Sequence, residues 1–390
     1  MGERARFVPT LLVLLLVTVD VAIAQEDAKQ KKQKKNPLAR LAEPWPDAKK
    51  TGERRRAAEN RRLFQSSDPL RLTLTADFKA VNKERDPSST RRFPAVMRID
   101  GGDGEGRSIP VKLRTRGHFR LMSRNCSFVP LRVEFPRQEV EGTVFEGVGS
   151  LKLGTHCAGD QEYEQYTLRE YLAYRIFNLF TPRSFRARLA KATHVDSSTG
   201  KTLAIRYAMF IESEADVARR LEGRVVQLPR TLFRDLDPET LTLMMLFEYM
   251  IGNTDFSIFA LHNVRLVQDQ ARVLYPIPYD FDLSGVVNAR YAVPDRQLPI
   301  ATVLDRLYRG PCRSREDLRP FLAAFRARKA DVMAAVDAVP DLDQTSRRKV
   351  FGTRSWKRSL MLLTNTVRGV GHWSGSRSFP GTRRGSNPCW

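Results

Sequence analysis

The stretch from 252 to 285 constrains this chain more than any other. It reads Gly252-Asn253-Thr254-Asp255, then His262-Asn263-Val264-Arg265-Leu266, then a hairpin-like segment, then Asp280-Phe281-Asp282-Leu283-Ser284-Gly285. Upstream, Asp237 can cap a helix with Pro238 in its first turn. The apolar residues Leu241, Met244, Met245, Phe247 and Met250 carry that helix to a stop at Gly252. Asn263 opens a strand over 264–267, Asp269 and Gln270 turn, and 272–275 returns. In the order of a kinase-like site, such a hairpin brings Asn263 and Asp280 to one edge of a cleft, with Asp255 in the preceding loop. All three are hard oxygen donors. One carboxylate can orient a hydroxyl, while an amide and a second carboxylate can hold Mg²⁺ on a triphosphate.

The two ends of the chain read differently. Arg4 and Arg6, an apolar run over 11–19 and Ala22-Ile23-Ala24 predict a cleaved export signal at 1–24. The run is too short for a membrane span, so the mature chain is expected to have none and to be periplasmic or extracellular. An oxidising compartment favours disulfides among the four Cys. Of the three pairings, Cys126 with Cys157 is favoured, because both lie in neighbouring predicted strands. No CxxC occurs, and the five His give no zinc spacing. The net charge of +22 draws polyanions. For an exported chain these are envelope or wall polymers, and nothing points to sequence-specific nucleic-acid binding. Residues 25–66 read as a basic disordered linker that could rest on an anionic surface. Residues 344–390, which lack any acid, read as a basic disordered tail.

Between these ends the chain is first β-rich. Strands are predicted over 70–75, 95–99, 109–115, 131–135 and 150–153, with a glycine-rich turn at 101–106, forming an antiparallel sheet. A helix over 167–180 carries Leu168, Leu172, Ile176 and Leu179 on one stripe, with Thr167 and Glu170 as a capping box. Strands follow over 189–195 and 204–211, and a helix over 317–339. The expected fold is α+β and two-lobed, protein-kinase-like. A β-rich N-lobe with one helix spans 67–213 and a mainly helical C-lobe spans 214–343, with the nucleotide between them.

The order of helix, acidic loop, Asn, hairpin and Asp-Phe-x is that of a kinase catalytic core. Gly252-Asn253-Thr254-Asp255, His262-Asn263 and Asp280-Phe281-Asp282 resemble the spore-coat CotH-type atypical kinases. Arg114-Thr115-Arg116-Gly117 resembles that family's Arg-Gly-Asn-Ser loop. The run 168–180 resembles its helix, and 207–212 resembles its strand ending in Glu. The resemblance implies phosphoryl transfer from ATP, with Mg²⁺ or Mn²⁺, to a protein or another hydroxyl acceptor. It makes Asp255 the catalytic acid/base, Asn263 and Asp280 metal ligands, and Asp282 an auxiliary metal carboxylate. Lys152, with Lys112 as its rival, and Arg116 would meet the phosphates. Glu170 would pair with Lys152, and Glu212 would mark the passage between lobes. Three departures stand out: His118-Phe119 replaces Asn-Ser, His262 replaces the first Asn of an Asn-Asn pair, and the interval from Asp255 to Asn263 is long.

Blander readings exist for the same residues. Glu170 could simply cap a helix with Thr167. Asp255, or Asp280 and Asp282, could be turn residues, and Arg114, Arg116 and Arg120 a solvated strand face. The corresponding alternative functions are a catalytically inactive kinase-like module binding an envelope or wall component, and a basic adaptor for anionic polymers.

Overall fold

Period-two alternation builds the largest element. The computed structural model of the chain describes residues 39–352 apart from 102, 103 and 229; the expected export signal and most of the expected tail lie outside them. Strands β1 (Leu70–Ala76), β2 (Phe93–Ile99), β3 (Ser108–Thr115), β4 (Leu131–Glu134), β5 (Ser150–Gly154), β6 (Ala187–Asp196) and β7 (Thr202–Ile211) close into a barrel of order β1-β2-β3-β4-β5-β7-β6. Every other residue of β2, from Phe93 to Ile99, is buried, as the pleat requires of a strand with one face inward. Most neighbours pair antiparallel. The closure is a parallel pair, β1 with β6, in register from Leu70↔Ala190 to Ala76↔Asp196. The barrel interior holds Leu72, Leu74, Met97, Leu113, Leu131, Leu153, Ala190 and Phe210.

Nine helices occur among the described residues: α1 (Ala39–Ala42), α2 (Ala48–Glu59), α3 (Phe78–Lys83), α4 (Gln161–Phe180), α5 (Glu214–Arg220), α6 (Pro238–Ile251), α7 (Arg315–Ala327), α8 (Lys329–Asp337) and α9 (Gln344–Gly352). A second sheet of order β10-β9-β8 is formed by β8 (Arg224–Val226), β9 (Val264–Gln268) and β10 (Leu274–Pro278). A second apolar core joins Leu168, Leu172 and Ile176 of α4 to Phe247 and Met250 of α6 and to Ile277 and Phe281.

The two-lobed kinase-like fold expected from the sequence is therefore not the one adopted. The chain is sheet-rich around a closed seven-stranded mixed barrel, and among the described residues no mainly helical C-lobe stands apart from it. From Trp45 on, the described residues cluster as one unit with no division near 213. The physical reason is the β1–β6 pair, which turns the expected open antiparallel sheet back on itself and removes its edges.

Smaller corrections follow from burial. The described part of the expected linker at 25–66 folds, carrying α1 and α2. Asp47 caps α2, Ala58 and Leu63 are fully buried, and the Arg186 guanidinium donates to the carbonyls of Ala58 (2.7 Å) and Glu59 (2.9 Å). The expected tail opens with α9. Helix α4 begins at Gln161 rather than 167, so Thr167 and Glu170 lie inside it, both buried, and form no capping box. Cys126 and Cys157 form the favoured disulfide, and Cys312 is disulfide-bonded as well. Among the described residues no helix is long and apolar enough to cross a membrane.

Candidate active site

The site starts at the end of α6. Asp237 caps that helix by accepting from Thr240 N (2.8 Å), and Gly252 ends it in the left-handed conformation, with φ +68°. A Cβ at Gly252 would sit 2.2 Å from Arg306 Nη1 and 3.0 Å from the Val303 carbonyl, so glycine is required twice over. The chain then turns on Asn253, whose Oδ1 accepts from Asp255 N (3.0 Å). Arg309 Nη1 donates to the carbonyls of Thr254 and Phe256 (2.8 Å to the latter), pinning the backbone on both sides of Asp255.

The hairpin supplies the other two donors. Val264 pairs with Pro278, and Tyr279 N donates to the Asn263 carbonyl (3.0 Å), so Asn263 and Asp280 emerge together at one end of the β9–β10 ladder. Asn263 and Asp280 both have left-handed backbone, with φ +53° and +66°. A non-glycine residue there costs conformational energy and persists only when its surroundings fix it. The fixing contacts are present. Asn263 Nδ2 donates to the Asp255 carbonyl (2.7 Å) and to Asp255 Oδ2 (2.9 Å). Asp280 N donates to the Tyr174 hydroxyl of α4 (2.8 Å). Phe281, fully buried, packs its ring on Tyr174 (4.8 Å between centroids) and Phe247 (5.6 Å).

Asp255, Asn263, Asp280 and Asp282 line one cavity of about 570 Å³, together with Lys152, Arg116, Gly117, His118 and Arg120. Six of the eight sequence-predicted site residues thus share its wall. Glu170 lies just behind. Burial raises its carboxyl well above the usual range, and Asp282 and Asp280 push it further, against Arg120 and Arg116. Asp282 is raised in the same way, by burial first and then by Asp280. The eighth residue, Glu212, does not line the cavity. Its buried carboxylate bridges Arg186 (2.8 Å) and Arg220 (2.9 Å), a structural ion pair at the end of β7.

Lys152 is also not paired as expected. Its Nζ meets Glu214 (3.5 Å), which Arg265 also holds (2.8 Å), rather than Glu170, and lies 3.9 Å over the Tyr279 ring. Burial lowers its amine to about 8, and Arg116 adds to the shift. Its rival Lys112 is exposed on β3 and outside the cavity lining. The residues that sequence reasoning missed are Glu214, Arg265, Tyr279 and Tyr291, whose hydroxyl reaches Asp282 Oδ2 (3.4 Å). Arg265 and Tyr279 flank predicted residues in sequence. Glu214 and Tyr291 carry no sequence signal, because only the tertiary fold brings them here.

The donor set fits a divalent cation. Among the described residues there is no group of three or more His, Cys, Asp or Glu that could hold a metal ion. The set here is different, one amide and two carboxylates. Both hydrogen bonds of Asn263 Nδ2 go to Asp255, which leaves Oδ1 to face a cation. Burial raises the carboxyls of Glu170 and Asp282, the nearby carboxylates add to the rise, and Arg120 and Arg116 only partly offset it, so a cation would relieve the crowding. Hard oxygens with an excess of negative charge suit Mg²⁺ or Mn²⁺.

One more buried acid borders the site. Glu248 of α6 is 1% exposed, and neither of its oxygens has a hydrogen-bond partner. Burial lifts its carboxyl to about 8, and Asp255 adds to the rise. The neighbouring Asn253 amide works against it without completing a bond of ordinary geometry. The folded chain therefore keeps a proton that the unfolded chain releases above about 4.5, and this group's contribution to stability falls as pH rises from there to about 8. Glu248→Gln is expected to raise stability at pH 8 by on the order of 4 kcal/mol relative to the parent, with the two converging near pH 5. Urea midpoints at the two pH values measure this; parallel curves would contradict it.

No protein-family model matches the chain, and no curated protein matches it.

Proposed function

We propose that this protein is an exported phosphotransferase that moves the γ-phosphoryl group of ATP to a hydroxyl acceptor with the help of a divalent cation. The observation that carries the reading is the meeting of Asp255, Asn263, Asp280 and Asp282 with Lys152 and Arg116 around one cavity. The motifs over residues 252–282 resemble those of the CotH-type atypical kinases, and this reading rests on motif and not on fold. The Cys126–Cys157 disulfide and the signal-like N-terminal sequence support export, to the periplasm or beyond the cell.

Each residue then has a role. Asp255 accepts the proton of the acceptor hydroxyl as its oxygen attacks the γ-phosphorus. The bond from that phosphorus to the bridging oxygen breaks, and ADP leaves. Asn263 holds Asp255 in place through Nδ2. Asn263 Oδ1, Asp280 and Asp282 would hold the cation, which neutralises charge on the phosphate oxygens when bound. Lys152 and Arg116 face the same oxygens. Arg120 also lines the cavity, and Tyr291, Asp282, Glu170 and Asp280 hold its charge against burial.

Thermal unfolding with and without ligands tests the reading. Mg²⁺ alone is expected to raise the midpoint, and Mg²⁺ with ATP to raise it further. A ligand at a hundred times its Kd adds about 2.7 kcal/mol. Stabilisation by the metal with no effect of ATP would overturn phosphoryl transfer and favour a structural cation in a binding module.

A further inference from the structure

The long interval between Asp255 and Asn263 has a structural product. Their eight-residue separation contains a loop tied at its base by paired backbone bonds between Ser257 and His262, both 3.0 Å. Phe259 stands at its tip, 55% exposed. The loop also walls a second cavity of about 170 Å³, lined by Leu232, Phe233, Phe256, Ile258 and Arg309. Leu232 and Phe233 are 40% and 37% exposed, so three large apolar side chains face solvent around one small hollow. Such a cluster calls for a partner.

We infer that this hollow seats one large apolar side chain of the acceptor, and hence that the acceptor is a polypeptide whose phosphorylated hydroxyl is accompanied by a nearby aromatic or large aliphatic residue in an acidic setting. The inference rests on the proposed phosphotransferase reading and narrows its substrate class. Three observations carry it. The first is continuity with the reacting group. Phe256, which lines the hollow, follows Asp255 directly, and Arg309, which also lines it, holds the carbonyls on either side of Asp255. The hollow and the proton acceptor are thus built on one continuous stretch of backbone. The second is size. The hollow is well below the several hundred Å³ of a small-molecule or nucleotide pocket and matches a single side chain. The third is charge. Arg230 and Arg234 are exposed close by in sequence; Arg234, 82% exposed, is only loosely paired with Asp235 (4.0 Å), on a chain of net charge +22. Acidic residues flanking the apolar one would meet these arginines.

The test uses the full chain and two fluorescent peptides. One carries a Ser and a single Phe among Glu and Asp residues; the other has Ala in place of Phe. Binding is read by anisotropy without nucleotide, so the result does not depend on whether ATP binds. The Phe peptide is expected to bind at least about tenfold more tightly. The combined substitution of Phe233→Ser and Phe259→Ser should erase that preference while leaving the urea midpoint and the Mg-ATP affinity unchanged. Equal binding of both peptides to the parent chain would overturn the inference even if the variant failed to fold. Concentration-dependent dimerisation abolished by Phe259→Ser would also overturn it, because the patch would then be covered by a second copy. If the parent binds the Phe peptide selectively but ignores Mg-ATP, the docking surface stands and the phosphotransferase reading fails.

Discussion

Asp255→Asn is expected to lower phosphoryl transfer about a thousandfold while leaving the fold and Mg-ATP binding nearly intact. The substitution removes the proton acceptor and weakens its contact with His262 Nε2 (3.2 Å), leaving the other contacts in place. Asn263 Nδ2 donates both to the Asp255 carbonyl and to Oδ2, and the backbone bond survives while an amide oxygen can still receive the other. Asp255 N stays on Asn253 Oδ1, and Arg309 still holds the flanking carbonyls. General-base contributions of this kind are worth roughly 10² to 10⁴ in rate. The loss should appear in kcat, with KM for ATP little changed, because the residue acts on the acceptor hydroxyl and not on the nucleotide.

Phe281→Ala is expected to lower folding stability by about 3–5 kcal/mol, the range for truncating a fully buried aromatic ring. Phe281 has no exposed surface, and its ring meets Tyr174 and Phe247. Tyr174 in turn holds Asp280 through its hydroxyl, so the cavity left behind opens under both Asp280 and Asp282. The stability loss should therefore come with weaker Mg²⁺ binding, although Phe281 touches no cation. Urea unfolding and Mg²⁺ titration of the same variant measure the two effects. A stability change below about 1 kcal/mol would show that the second core does not rest on this ring.

The candidate site was far more legible in the sequence than the fold around it. Asp255, Asn263 and Asp280 could be read because their spacing depends on local rules: a glycine helix stop, an amide-stabilised turn and a two-stranded hairpin. Each rule operates within a few residues, and all held. The barrel could not be read, because its closure depends on β1 and β6 lying parallel more than a hundred residues apart, and strand alternation says nothing about partners. That single pair replaced a two-lobed expectation with a closed mixed barrel. Glu170 and Glu212 failed for a related reason. A carboxylate at the right place in a motif pairs with whatever cation the fold delivers. Glu212 received Arg186 and Arg220, while Lys152 received Glu214. The order of residues 48–66 escaped a compositional reading because the basic helix is held by distant groups, chiefly Arg186 and the Arg61–Asp216 pair (3.0 Å).

The central claim is that the acids and amide around the cavity move a phosphoryl group. The most direct measurement is Mg²⁺-dependent ATP consumption by the purified parent chain beside Asp255→Asn. Turnover that requires Mg²⁺ and falls about a thousandfold in the variant is the expected result. Equal rates in the two proteins, or no consumption by the parent with any protein or peptide acceptor supplied, would contradict it.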